Sequence, residues 1–125
     1  MPTYLLAVHA SDEDLSRPMS PEDMRRGFEQ VDALEQEMRA ADALRFSGRL
    51  RAAREATVVR PSRRRVKATD GPYLEVKEHL GGFYLVEAAD RDEALDWAAK
   101  VSLAIQAPIE VRQLADDPRS QASRS

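Results

Sequence analysis

The sequence predicts an α+β fold with strands and two helices in alternating blocks, and three observations carry that reading. A short apolar run, Tyr4 to Val8, precedes a strongly capped amphipathic helix that starts at Ser20. A second helix start at Asp90 precedes an alternating stretch, Ile109 to Arg112. Between the helices lie several extended pieces too short to be helices. The resulting order is strand, helix, strand, hairpin, loop, strand, helix, strand. Without the hairpin it is βαββαβ, the ferredoxin-like unit with split βαβ halves.

Each element has a local reason. Tyr4–Val8 is apolar, short and uncapped, which favours a buried strand closed by His9. Ser20 is placed to cap the first helix, Pro21 suits its first position, and Glu22 and Asp23 suit the positive end of its dipole. Met24, Phe28, Val31, Leu34, Met38 and Ala41 then recur at steps of three and four, which predicts one buried stripe running to about Ala41. Glu22 with Arg26 and Glu35 with Arg39 are four-residue pairs expected on the wet side. Leu44–Leu50 reads as a second strand and 52–55 as a loop. Thr57–Arg60 and Arg65–Ala68 flank Pro61-Ser62-Arg63 as a hairpin. A further strand is expected from Phe83 to Glu87. Asp90 with Glu93 is close to a capping box, and the helix continues through Ala94, Trp97, Ala98 and Val101 until Pro108 forbids it.

At 125 residues the chain suits one domain, expected over 1–114, followed by a polar tail, 115–125, expected to be disordered. A net charge of −3 with interspersed signs gives no reason to expect nucleic acid or an anionic membrane as partner. No apolar run is long enough for a transmembrane helix. The absence of cysteine excludes disulfides and thiolate chemistry and fits a cytoplasmic, reducing compartment. Two helices can cover only one face of such a sheet, yet Phe83 and Leu85 alternate with Tyr84 and Val86, so both faces carry apolar side chains. An uncovered apolar face points to a second copy and hence to a homodimer through sheet faces.

The most information-dense stretch is Asp70 to Phe83. Gly71 allows unusual backbone angles, Pro72 fixes its own, and Gly81-Gly82 permits a bulge or a close approach as the next strand begins. Asp70, Glu75, Lys77 and Glu78 make a charged cluster: a carboxylate there can act as a base while Lys77 binds an anion. The competing reading is a network that pins the loop. His9 and His79 are the only histidines, too few for a metal site without other ligands, and a lone His is more often structural than catalytic. Arg60, Arg63, Arg64, Arg65 and Lys67 lack interleaved aromatics, so a solvated basic hairpin is favoured over nucleic-acid binding. Tyr73 sits beside the charged cluster and is the aromatic best placed to touch a ligand. No phosphate loop, Ser–His–Asp order or metal-helix motif is present, and no cofactor is expected.

Thr69-Asp70-Gly71-Pro72-Tyr73, Glu75, Lys77-Glu78 and Leu80-Gly81-Gly82-Phe83-Tyr84 closely resemble the signature of the YCII-related family, in particular the branch named for an Asp-Gly-Pro-Phe motif, with Tyr73 in place of the Phe. Ser20–Met24 and Asp92–Ala98 are similar to family patterns too, and the resemblance covers about residues 3 to 113. It implies a ferredoxin-like unit that pairs as a dimeric α+β barrel, of mostly undefined role. It is compatible with three functions. The first is a protein that binds a small polar or anionic molecule in a pocket beside the Asp70–Glu78 loop, through His9, Tyr73, Lys77 and Glu78. The second is an isomerase or lyase in which Asp70 or Glu75 moves a proton on a cyclic substrate. The third is a regulatory or interaction protein, since members of the branch are often encoded beside alternative sigma factors. Some wider relatives carry a His–Asp pair with the His on the first helix; the first helix here has no His.

Overall fold

The computed structural model describes residues 1–11, 18–63, 65–71, 78–117 and 119. Its elements run β1 (Thr3–Ser11), α1 (Pro21–Ala40), β2 (Leu44–Arg49), a 3₁₀ turn (Ala53–Glu55), β3 (Thr57–Ser62), β4 (Arg65–Asp70), β5 (Glu78–Glu87), α2 (Arg91–Ile105) and β6 (Ile109–Gln113). Four strands form one antiparallel sheet in the order β2-β5-β1-β6, while β3 and β4 form a separate two-stranded ribbon. The interleaved order, with each βαβ half straddling a strand of the other, is the ferredoxin-like arrangement that the sequence predicts.

Both helices lie on one face of the sheet. Leu34 and Met38 from α1 and Ala94, Trp97, Ala98 and Val101 from α2 pack against Tyr4 and Leu6 of β1 and Tyr84 and Val86 of β5. Local chemistry sets the helix ends. The Asp23 N–H donates to Ser20 Oγ at 3.0 Å, and the Glu93 N–H donates to Asp90 Oδ1 at 2.9 Å. At the far end of α1, Asp42 adopts φ 55°, its N–H donates to the Arg39 carbonyl, and the Ala43 N–H donates to that of Met38. These two bonds form a Schellman stop, with aspartate in the left-handed position that glycine usually fills. Lys100 pairs with Glu37 and lies 5.0 Å from the Trp97 ring centre, tying the helices together above the sheet.

Several expectations need correction. The stripe on α1 is buried only at Leu34 and Met38; Val31 is half-buried, and Met24 and Phe28 remain exposed. Only the second half of α1 contributes to the core cluster, and the apolar residues of its first turns lie outside it. Glu35 is not on the wet side: it accepts from Tyr84 Oη and Ser47 Oγ, both at 3.4 Å, as well as from Arg39 at 3.3 Å. β5 begins at Glu78 rather than Phe83, so the double glycine lies inside the strand. Pro61 and Ser62 belong to β3, and the hairpin turns at Arg63 with φ 58°. No described glycine has positive φ. Gly71 is small for another reason: a Cβ there would stand 3.0 Å from both the Cβ and the carbonyl oxygen of Ala56. The expected tail from residue 115 lies largely outside the described residues.

Candidate functional site

The sheet face away from the helices is apolar in the middle and polar at both ends. Register and alternation place Leu5, Ala7, Phe46, Phe83 and Leu85 together on it, with the Phe46 and Phe83 rings 5.9 Å apart. At one end Arg45 and Glu87 form a 2.5 Å ion pair. Hydrogen bonding from Arg45 holds the Glu87 carboxyl below its usual range, and the same contact raises the Arg45 guanidinium.

The other end is built around His9. β1 continues past a bulge: Val8 stands opposite Gly82 and His9 opposite Leu80, leaving Gly81 without a partner. Gly82 is needed here because a Cβ would meet the Gly48 carbonyl oxygen at 2.9 Å. Beyond the bulge His9 reaches across to β6, where its Nε2 lies 3.2 Å from Glu110 Oε1. An ionised carboxylate can only accept, so the His9 Nε2–H donates to it, and a neutral ring in this tautomer carries its lone pair on Nδ1. The side chain of His9 is 32% exposed, so a small molecule can approach it. An imidazole fixed by a carboxylate is an oriented base, the minimal arrangement for moving a proton or for presenting a positive charge to an anion once protonated.

The other candidates from the sequence fall in different places. Glu78 opens β5 opposite Ser11, one diagonal step from His9 on the same face, or roughly 7–8 Å away. His79 is opposite Ala10 and half-buried. Asp70 is exposed at the root of the hairpin, opposite Thr57 in the separate ribbon, so it does not share a sheet with Glu78. Tyr73, Glu75 and Lys77 lie outside the described residues. No group of three or more His, Cys, Asp or Glu able to hold a metal occurs among the described residues. No described helix is long and apolar enough to cross a membrane.

Glu110 is the functional candidate that reading the sequence missed. The signal was present: Glu110 alternates with Ile109 and Val111, which places it away from the core, and the interleaved order makes β6 a neighbour of β1. On the helix side, burial, the charge of Glu35 and a hydrogen bond to it together push the Tyr84 hydroxyl up to about 12. That carboxylate braces α1 against β2 and β5 and faces away from the open side of the sheet.

A family model for the YCII-related domain matches residues 4–116. An uncharacterised protein of Rhizobium meliloti (strain 1021) is 36% identical over 92 residues, covering 74% of this chain and 74% of that protein. With the interleaved sheet and the model match spanning nearly the whole fold, the chain belongs to the YCII-related family.

Proposed function

We propose that the protein is a homodimer, paired through the open faces of its sheets, that binds a small polar or anionic molecule at the His9–Glu110 end. The observation that supports this most is the joint layout of that face: an apolar centre suited to a second copy, bordered by an oriented imidazole. Glu78 stands diagonally from His9. Two such faces in contact would screen His9 from bulk water and strengthen its polar interactions. The resemblance of Thr69–Tyr73 and Leu80–Tyr84 to the Asp-Gly-Pro-Phe signature supports a place in that branch, and this reading sets the protein in the cytoplasm.

A second reading, a proton-transferring isomerase or lyase acting on a small cyclic substrate, is favoured by the Nδ1 lone pair that Glu110 leaves on His9. In that reaction the neutral His9 imidazole takes a proton from one ring carbon and, as imidazolium, gives a proton to another, so that the base ends as it began. A thermal-shift screen with small carboxylates and lactones tests both readings. A ligand at a hundredfold excess over its Kd adds ~2.7 kcal/mol to the folded state. The binding reading expects a shift that is lost in His9→Gln; no shift from any compound contradicts it. The enzyme reading further expects solvent deuterium to enter a bound lactone, and a binder that never exchanges contradicts that reading alone.

A further inference from the structure

The register of the β3–β4 ribbon sorts its side chains by face. Val59 stands opposite Ala68 and Pro61 opposite Val66, so these four share one side. Arg60 opposite Lys67 and Ser62 opposite Arg65 occupy the other. Beyond its root, where Thr57 faces Asp70 and Val58 faces Thr69, the ribbon is therefore apolar on one side and basic on the other. Its apolar side is uncovered: Val59 is 60% and Val66 72% exposed, and Pro61 and Ala68 are exposed as well. An isolated two-stranded hairpin is marginally stable in water, so a ribbon of this length needs a surface to lie on.

Charge indicates which surface. Residues 57–70 hold four arginines, one lysine and one aspartate, a net +4, while the whole chain is at −3; the remainder therefore carries −7. A second copy offers an acidic body to a basic arm. It also offers a matching apolar strip, because Phe28 is 53% and Met24 46% exposed on the first turns of α1. Four acids border that strip, Glu22, Asp23, Glu29 and Asp32, against two arginines: Arg26 lies 3.8 Å from Glu22 and Asp23, and Arg25 lies 3.4 Å from Glu29, all exposed, so these turns stay acidic in sum. Within one chain both strips stay exposed, although the arm and the start of α1 leave the sheet at the same end.

We propose that the β3–β4 arm of one copy lies across α1 of a second copy, with Val59, Pro61, Val66 and Ala68 seated on Met24 and Phe28. The basic side chains curl round the arm's edges to the acids that flank the strip. A two-fold axis repeats the contact, so each copy gives an arm and receives one. This contact is separate from the sheet-face pairing proposed above and does not require it.

The chain has no cysteine, which makes the test direct. Val66→Cys is mixed with a size-tagged Phe28→Cys protein and treated with a short bis-maleimide. Both positions are exposed, so neither change threatens the fold of the single chain. The expected result is a mixed cross-linked species, formed several-fold more than when the tagged partner carries Leu103→Cys, an exposed site on α2. Its yield falls as salt is raised, because the guiding charges are exposed. A yield no greater than the Leu103→Cys control overturns the proposal. So does a Val66→Cys/Phe28→Cys double variant that links only within one chain. Failure of the sheet-face pairing is observed separately, as an unchanged sedimentation mass when Phe46→Asp is added to a Val66→Asp protein whose arm contact is already broken.

Discussion

His9 on β1 and Glu110 on β6 lie 101 positions apart in sequence and 3.2 Å apart in space, joined across adjacent antiparallel strands on the face opposite both helices. The pair is partly exposed, so its worth to folding is small. Glu110→Gln is expected to change unfolding free energy by less than about 1 kcal/mol in urea titrations. The same variant is expected to reduce any ligand-induced rise in Tm, since the imidazole loses its orienting carboxylate. Equal losses in stability and binding would make the pair a structural tie.

Adjacent glycines are expected to respond differently to alanine. At Gly82 the new Cβ meets a backbone oxygen at 2.9 Å, which cannot move aside without disturbing the β2–β5 ladder; Gly82→Ala is expected to cost about 1–3 kcal/mol. At Gly81 the nearest atom is 3.8 Å away, an ordinary contact, so Gly81→Ala is expected to be mild. Gly27 lies inside α1 with nothing within 4 Å, and Gly27→Ala is expected to stabilise by roughly 0.5–1 kcal/mol through helix propensity and reduced unfolded-state freedom. Denaturant midpoints of the three variants check the order.

Tyr84 ties stability to alkaline pH. Its hydroxyl titrates at about 12 in the fold against about 10 in an unfolded chain. Between those values the unfolded state has lost a proton that the folded state keeps, so stability falls as pH rises through the window, by on the order of 2–3 kcal/mol. Tyr84→Phe removes this dependence. Stability measured at pH 10 and pH 12 is expected to fall less in that variant than in wild type.

The Glu87 carboxylate acts on the acid side. Its folded pKa is depressed by Arg45, so its contribution is present above the ordinary carboxylate value of about 4.5 and is lost as pH falls through the lower folded value. Arg45→Gln is expected to flatten the acid limb of the stability curve, and an unchanged limb would mean that the pair is not formed in solution.

Much of the architecture was legible because local chemistry and packing agree. Ser20 and Asp90 cap the helices, and Ile109 and Val111 face the core in alternation with Glu110. Periodicity, however, reports which side of a helix is apolar and not how much of that side the rest of the fold covers. For that reason Met24 and Phe28 read as core and are exposed. Glu35 is another such case. A Glu–Arg spacing of four fits a solvated pair, and only tertiary placement brings Tyr84 and Ser47 onto the same carboxylate. The site was legible in part. His9 was a candidate at a strand end, but a lone histidine does not reveal its partner until the strand order places β6 beside β1.

The sheet's uncovered face is the centre of the account, and its covering by a second copy is measured most directly by analytical ultracentrifugation at micromolar concentration. Wild-type protein is expected to sediment at twice 14.0 kDa. In a Val66→Asp protein, whose arm contact is broken, adding Phe46→Asp at an exposed position on that face is expected to take the mass from twice 14.0 kDa to a folded 14.0 kDa, because a carboxylate cannot be buried unpaired between two sheets. Wild-type protein at 14.0 kDa throughout that range would contradict the account.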